Sequence, residues 1–311
     1  MARGFPRVEA GPAVSGSHDT ARAIAVRLGR RVVSVKLTGA VPLEIWERRA
    51  SRFRVEGAAP DYEIAIVADD GVTLEALRRA IAAMQGAGAA ARTPGGPVVT
   101  SEPGRLAIRA PARAFAEPRP AGWPRMINFL LCAAHNAGLG GAEGAPSWLV
   151  HGCGVRLPGG GAVIVTGPSG AGKSTFGRLA ARLATLLNDE AVLVRASAGD
   201  ELRVEGTPFM GDLPAAPEGD VLRAVAWLEQ GPEAEVTPWD PQEALPWLLT
   251  QIFLPAPPFP SAPQLRSAQA RRLDGALALV SRTRLFRATF APTEEAVSRV
   301  LDRIQGHREG R

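Results

Sequence analysis

The segment Gly167–Thr175 constrains the fold of this chain more than any other. It reads GPSGAGKST and matches the pattern G-x-x-x-x-G-K-[S/T] in full, through Gly167, Pro168, Ser169, Gly170, Ala171, Gly172, Lys173, Ser174 and Thr175. In such a loop, backbone N–H groups and the start of the following helix surround phosphates, and a lysine ammonium reaches between them. The motif therefore predicts a strand–loop–helix unit that binds a nucleotide.

The lysine of this loop stands out against the rest of the chain. Only two of the 36 basic residues are lysines, and the other one is Lys36. A planar guanidinium differs in shape from a slim ammonium, so arginine is a poor replacement at such a position. The alternative interpretation is a glycine-rich turn with an unused lysine, which leaves the coincidence of glycines, lysine and hydroxyls unexplained.

Composition indicates the class of protein, its compartment and the partners that are not expected. With 46% hydrophobic and 22% charged residues, the 311-residue chain has an ordinary globular composition. We expect no membrane association, because no apolar stretch approaches the ~20 residues of a bilayer span and Met1–Gly11 is polar. Cys132 and Cys153 have no metal-ligand spacing and form no disulfide framework, so we expect a reduced, cytoplasmic location. The net charge of +5 is dispersed along the chain, which argues against nucleic acid as a partner.

Alternating strand and helix patterns predict an α/β protein with two domains, 1–120 and 121–311. Residues 1–30 show little periodicity, and the proline-rich stretch Pro111–Pro124 predicts a linker. The smaller domain is predicted from strands at Arg31–Thr38, Arg52–Glu56, Asp61–Ala68, Pro97–Ser101 and Arg105–Ala110 and a helix at Thr73–Gln85.

The larger domain is predicted to carry the phosphate loop. A strand pair, Ser147–Arg156 and Gly161–Thr166, leads into the loop, and a single strand at Leu186–Arg195 follows the next helix. Further elements are strands at Val221–Leu228 and Thr283–Phe290 and helices at Arg125–Ala137, Ser174–Ala184, Asp240–Ile252, Gln264–Leu279 and Pro292–Ile304. Pro255–Pro260 predicts a stiff surface loop.

Asp189 and Glu190 are two adjacent carboxylates within the apolar run Leu186–Arg195. Burying them without partners is costly, and Mg²⁺ and a substrate hydroxyl would supply partners. Asp189 follows Lys173 by only 16 residues, whereas the acidic strand of most phosphate-loop NTPases is much further along the chain. This spacing argues against an ordinary ATPase, GTPase or transport motor. The alternative is a solvated pair at a strand edge.

His151 begins the segment His151-Gly152-Cys153-Gly154-Val155, on the strand predicted to pair with the one that feeds the loop. A lone histidine at such a place is more often structural than catalytic. Its combination with the other two motifs makes it a candidate active-site residue.

These motifs, in this order, resemble the C-terminal domain of the HPr kinase/phosphorylase family, which is similar in fold to phosphoenolpyruvate carboxykinase. The likeness is closer to HPr-kinase-related proteins that have a later Gly-Thr-Pro-Phe like Gly206–Phe209 and often accompany peptide-modification systems. The resemblance implies a mixed sheet with flanking helices, the substrate ATP and the cofactor Mg²⁺. It also implies that Asp189 is the catalytic base, that Ser174 and Glu190 bind the metal, and that His151 and Lys173 lie near the transferred phosphate.

The resemblance implies a kinase that acts on a serine or threonine hydroxyl of a protein or peptide, such as a precursor peptide or an HPr-like carrier. The second glycine-rich signature of the family, Met-Arg-Gly-Leu-Gly, is not found in the sequence, so HPr itself and phosphorylase activity are not implied. Two alternatives stay open: a small-molecule kinase, and a non-catalytic ATP-binding regulatory module. Related kinases assemble as oligomers, so a homo-oligomer is a further expectation.

Overall fold

The computed structural model describes residues 22–39, 44–84, 92–116, 123–137, 146–197, 199–209, 211–254 and 260–306. Four regions with sequence predictions lie outside these ranges in whole or part: 1–21, Gln85 at the end of a predicted helix, the linker residues 117–122 and the loop residues 255–259. Strands and helices alternate along the described chain, which confirms the predicted α/β class. No helix in these ranges has both the length and the apolar character that a membrane crossing requires.

The first part of the chain forms a five-stranded sheet with helices beside it. Its elements are β1 (Arg22–Leu28), β2 (Arg31–Thr38), α1 (Glu44–Ala50), β3 (Tyr62–Ala68), α2 (Leu74–Met84), β4 (Arg92–Thr93), β5 (Gly96–Pro97), β6 (Val99–Glu102), β7 (Arg105–Ala110), α3 (Arg113–Ala116) and α4 (Trp123–Ala137). The strand order is β1-β2-β3-β7-β6, with β2, β3 and β7 parallel at the centre, and β4 pairs separately with β5.

Several predictions in this part differ from the structure. The strand predicted at Pro97–Ser101 is divided between β5 and β6, and the predicted linker Pro111–Pro124 contains α3 and the start of α4. The strand predicted at Arg52–Glu56 is wrong: α1 is followed there by a single turn of 3₁₀ helix, Ser51–Phe53. Trp46, Ala50 and Phe53 are buried at helical rather than alternating spacing, so this segment covers the core as a helix. Strand β1 was missed, although Ile24, Val26 and Leu28 alternate inward along it.

The second part of the chain is built on a nine-stranded sheet of mixed direction, as the resemblance implied. Its elements are β8 (Ser147–His151), β9 (Cys153–Arg156), β10 (Ala162–Thr166), α5 (Lys173–Ala180), β11 (Thr185–Asn188), β12 (Ala191–Ala196), β13 (Leu202–Glu205), β14 (Gly219–Gln230), β15 (Glu235–Pro238), α6 (Pro241–Gln251), α7 (Ala262–Arg282), β16 (Arg284–Phe290) and α8 (Glu294–Gly306). The order β11-β9-β10-β14-β13-β12-β8 is extended by β16 beside β14 and β15 beside β16.

Helices cover both faces of this sheet. Val163 and Val165 of β10 lie in one core cluster with Phe176 of α5 and Val300 of α8. Ile164, between them, lies in a different cluster with residues of α6 and α7. Successive side chains of a strand point to opposite faces, so β10 is covered on both sides and enters the phosphate loop from the middle of the fold.

The single strand predicted at Leu186–Arg195 is wrong. Its residues form two strands, β11 and β12, which are interrupted at Asp189-Glu190. β11 pairs with β9, whereas β12 pairs with β13 and β8. The acidic pair therefore lies in a turn where the chain passes from one region of the sheet to another.

The stretch Ser147–Arg156 is interrupted in the same way. β8 pairs with β12, and only β9 pairs with β10, so the predicted pairing of His151's strand with β10 is wrong. The interruption falls at Gly152, whose backbone N–H donates to the carbonyl of Glu190 at 3.2 Å. A Cβ at Gly152 would lie 3.0 Å from the carbonyl oxygen of Val165, so the close approach favours glycine.

The two parts of the chain are in contact. Leu149, Leu193 and Phe209 from the second part belong to the core cluster of the first. The buried indole Nε1 of Trp46 lies 3.4 Å from the carbonyl oxygen of Pro208, to which it donates. The domain boundary near residue 120 stays a prediction.

Candidate active site

The phosphate loop connects β10 to α5, as the motif predicted. Gly170 and Gly172 have φ angles of 83° and 96°, in the left-handed region that favours glycine. A Cβ at Gly167 would lie 2.8 Å from the carbonyl oxygen of Leu228, so this position needs glycine for close approach to β14. Pro168 and Ser169 are exposed to solvent.

Helix α5 begins at Lys173 without a side-chain cap. Its N-cap residue, Gly172, makes no side-chain hydrogen bond, and the first helical bond runs from the N–H of Phe176 to the carbonyl of Gly172. The first N–H groups of an α-helix have no partner within the helix, and a helix N-terminus attracts anions. The start of α5 is therefore suited to a phosphate group.

The Lys173 ammonium is hydrogen-bonded to the backbone of its own loop. Its Nζ donates to the carbonyl oxygens of Gly167 at 2.8 Å and Pro168 at 3.0 Å. An ammonium has three N–H donors, so one is left for a further acceptor. Burial lowers the pKa of Lys173, and the carboxylate of Glu190 opposes that shift, so the loop and the acidic turn act on each other electrostatically.

The acidic turn is fixed by Asn188, the last residue of β11. Its Oδ1 accepts from the backbone N–H groups of Glu190 at 2.6 Å and Ala191 at 3.0 Å. Its Nδ2 donates to the carbonyls of Thr207 at 2.9 Å and Phe209 at 3.0 Å. This fully buried amide therefore connects the acidic turn to the Gly206–Phe209 segment, a role that the sequence analysis missed.

Asp189 is 4% exposed, and its carboxylate binds the next loop. Its Oδ2 accepts from the backbone N–H of Asp212 at 3.0 Å, and its Oδ1 accepts from that of Leu213 at 3.3 Å. Burial raises the pKa of Asp189, and these hydrogen bonds oppose the rise. A Cβ at Gly211 would overlap the carboxylate, so glycine is needed beside it. Each carboxylate oxygen keeps a further lone pair for another donor.

His151 ends β8 and pairs in register with Ala191, directly after the acidic turn. Its backbone carbonyl accepts from Thr166 Oγ1 at 2.8 Å, so it contacts the end of β10 although their strands do not pair. Burial and the charge of Lys173 lower the pKa of His151. Lys173 thus acts electrostatically on both His151 and Glu190.

Gln251 at the end of α6 was also missed by the sequence analysis. This side chain is 9% exposed, and its Oε1 lies 3.2 Å from His151 Nδ1 and 3.1 Å from Thr166 Oγ1. Gln251 is 100 residues from His151 in the sequence and belongs to no recognisable motif. Its place near the end of the predicted helix Asp240–Ile252 is the one local signal that could have suggested a buried side chain.

The predicted metal ligands are Ser174, in the first turn of α5, and Glu190. Among the described residues, no group of three or more histidine, cysteine or acidic side chains is arranged for a metal ion. Mg²⁺ is commonly held by one or two carboxylates together with substrate phosphates and water. One carboxylate and one hydroxyl beside a phosphate loop match that donor set.

No protein-family model matches the sequence, and no curated protein matches it. Among solved structures, the chain is similar to the HPr(Ser) kinase/phosphatase from Coxiella burnetii, with 10% identity and a TM-score of 0.28. That similarity covers 51% of this chain and 95% of the other. It indicates no more than a distant structural relationship, so the functional assignment depends on the geometry of the site.

Proposed function

We propose that the protein is an ATP- and Mg²⁺-dependent kinase that transfers the γ-phosphoryl group to a serine or threonine hydroxyl of a protein or peptide. The observation that carries this proposal is the convergence of three separate sequence motifs. The carbonyl of His151 accepts from Thr166, which directly precedes the phosphate loop, and His151 pairs in register with Ala191, which directly follows Glu190. A phosphate beside Lys173 would therefore be close to a histidine and an acidic turn.

The residues that would hold the nucleotide are those of Gly167–Thr175. The uncapped start of α5 and the remaining N–H of Lys173 would bind the phosphates. Ser174 and Glu190 would hold Mg²⁺, which when bound neutralises charge on the transferring phosphoryl group.

Asp189 has the properties of a general base in this reaction. As the acceptor hydroxyl oxygen bonds to the γ-phosphorus, the bond from that phosphorus to the ADP oxygen breaks, and the hydroxyl proton passes to the Asp189 carboxylate. A pKa raised by burial makes a carboxylate a better proton acceptor than an exposed one. The backbone N–H groups of Asp212 and Leu213 would hold the carboxylate in place.

The contact between the two parts of the chain supports a macromolecular acceptor. Trp46 donates to Pro208, and the same segment accepts hydrogen bonds from Asn188, which fixes the acidic turn. An acceptor held by the first part of the chain would thus be connected to the catalytic residues through two contacts. The first is the hydrogen bond from Trp46 to Pro208, and the second joins Asn188 to Thr207 and Phe209. A precursor peptide or an HPr-like carrier fits this arrangement, and a homo-oligomer remains part of the proposal.

One observation favours a second candidate, a non-catalytic nucleotide-binding regulatory module. The Asp189 carboxylate already accepts two backbone hydrogen bonds and is almost fully buried. In this candidate, the role of the carboxylate is purely structural: it holds the loop Gly211–Leu213 in place. In that case, nucleotide binding would alter the contact between the two parts of the chain without phosphoryl transfer.

Phosphoryl transfer separates the two candidates. Purified protein is incubated with Mg²⁺, γ-labelled ATP and panels of peptide, HPr-like and metabolite acceptors, with the Asp189→Asn variant beside it. We expect label on a serine or threonine of a peptide or protein and a loss of about 10²-fold or more in the variant. Nucleotide binding without transfer to any acceptor would favour the regulatory module. Transfer that is unchanged in Asp189→Asn would remove Asp189 from the role of base.

A further inference from the structure

The hydrogen bonds around Gln251 determine which nitrogen of His151 carries a proton. Thr250 Oγ1 donates its hydrogen to the carbonyl of Trp247 at 2.7 Å, so the same oxygen can only accept from Gln251. Gln251 Nε2 lies 2.8 Å from that oxygen and donates to it. The amide of Gln251 is thereby oriented with Nε2 towards Thr250 and Oε1 towards His151.

An amide oxygen accepts hydrogen bonds and cannot donate them. His151 Nδ1 lies 3.2 Å from Gln251 Oε1, so a hydrogen bond between these atoms requires the proton on Nδ1. Thr166 Oγ1 lies 3.1 Å from the same oxygen and 2.8 Å from the carbonyl oxygen of His151, and its single hydrogen serves these two acceptors. Gln251 Oε1 thus receives donors from two sides.

The hydrogen bonds therefore place a proton on His151 Nδ1. Burial and the neighbouring Lys173 charge both lower the pKa of His151, which disfavours a second proton on Nε2. Within the described part of the chain, His151 Nε2 makes no hydrogen bond. A bare ring nitrogen of this kind accepts a hydrogen bond from a hydroxyl but cannot donate one to a phosphate oxygen.

We propose that Gln251 is a positioning residue that holds His151 in the Nδ1–H tautomer and leaves Nε2 to accept a hydrogen bond from the acceptor hydroxyl. The proton on Nδ1 is assigned from the hydrogen bonds, whereas the role towards the acceptor rests on the proposed kinase function. The hydroxyl has a single hydrogen, so His151 Nε2 accepts it as a hydrogen bond before transfer, and the same proton passes to the Asp189 carboxylate as the oxygen bonds to phosphorus.

The first test measures the tautomer directly and needs no activity. The protein is labelled with ¹⁵N-histidine, and the ring resonances of His151 are identified among the four histidines by their loss in a His151→Gln variant. We expect the chemical shift of a protonated Nδ1 and an unprotonated Nε2 near neutral pH. A predominant Nε2–H tautomer would overturn the proposal, because Gln251 would then present its Nε2 to His151 in place of its Oε1.

Two variants separate a positioning role from a structural one. Gln251→Glu keeps an oxygen acceptor, so His151 should retain the Nδ1 proton. Gln251→Met keeps the approximate size but has no such acceptor, so the two tautomers should become mixed. Gln242→Met changes an exposed glutamine on the same helix and is the matched control. Unchanged His151 resonances in Gln251→Met would overturn the proposal.

Kinetics test the part that depends on kinase activity. With an acceptor in hand, Gln251→Met should lower kcat by about tenfold and leave the KM for ATP nearly unchanged, since the lost contact orients the acceptor hydroxyl. Gln251→Glu should recover part of the loss at a pH above the raised pKa of His151 in that variant, where Nε2 is free of a proton. An equal effect on ATP binding would refute the role towards the acceptor. If no acceptor is phosphorylated by the wild type, the proposed function fails while the tautomer measurement still decides the role of Gln251.

Discussion

The side-chain oxygen of Asn188 accepts a hydrogen bond from the backbone N–H of Glu190 across 2.6 Å. The other end of the same amide donates to two carbonyls in the Gly206–Phe209 segment. One buried side chain thereby holds the acidic turn in place and attaches it to a loop that is distant in sequence. The position of both carboxylates depends on this amide.

We expect Asn188→Ala to lower the free energy of unfolding by about 2–4 kcal/mol, because it leaves buried backbone groups without partners. Asn188→Asp should be similarly harmful, since a carboxylate would face the carbonyls of Thr207 and Phe209. Urea unfolding gives the stability, and phosphoryl transfer at a temperature where the variant stays folded gives the activity. A folded variant with wild-type transfer would show that Asn188 does not position the turn.

Removal of the Lys173 ammonium should weaken nucleotide binding. A hydrogen bond to a charged group contributes roughly 1.5–3 kcal/mol, so we expect Lys173→Ala to bind ATP about 10- to 100-fold more weakly. Isothermal titration calorimetry with Mg²⁺ and ATP measures this change.

The chain offers a matched control for that experiment. Lys36→Ala removes the same charge from the exposed Lys36 on β2 and should leave ATP binding unchanged. Wild-type affinity in Lys173→Ala, or an equal loss in both variants, would contradict the assignment of the phosphate loop.

His135 on α4 should make the protein sensitive to mild acid. Burial, reinforced by the charge of Arg31, lowers the pKa of His135 to about 4. Between about pH 6.5 and that value, the unfolded chain binds a proton that the folded protein does not, so stability falls as the pH falls. From about pH 7 to about pH 5, this single group should remove about 2 kcal/mol of unfolding free energy.

The contribution of His135 is measured as a difference between two proteins. Urea unfolding across this pH range should give a shallower pH dependence for His135→Gln than for the wild type, because glutamine does not titrate. His151, whose pKa is also lowered, affects both proteins equally and cancels. Identical pH dependence in the two proteins would show that His135 is not buried in its neutral form.

The sequence predicted best those elements that depend on local pattern. The strand Arg31–Thr38 has the predicted bounds, and helix α2 fills the predicted range to within one residue at each end. The phosphate loop lies between its strand and helix because its glycines and flanking apolar runs are both local signals. The three site motifs could therefore be identified before their spatial arrangement was known.

The sequence could not predict features that depend on distant partners. Apolar residues flank Asp189-Glu190 on both sides, so nothing local distinguishes one long strand from two strands in different regions of the sheet. Asn188, at the interruption, bonds to Thr207 and Phe209, which are 19 and 21 residues away in the sequence, and such contacts leave no trace in the periodicity. The partnership of Gln251 with His151 spans 100 residues and is equally invisible in the pattern.

The hydrogen bond from Trp46 to Pro208 bears on whether one part of the chain can be exchanged for that of another protein. The indole comes from helix α1 in the first part of the chain, and its acceptor lies in the segment of the second part that Asn188 also contacts. A chimera that exchanged residues 22–116 for those of another protein would lose the donor to Pro208 unless the new part supplied an equivalent indole. The two parts of the chain should therefore be exchanged together, or Trp46 kept wherever Pro208 is kept.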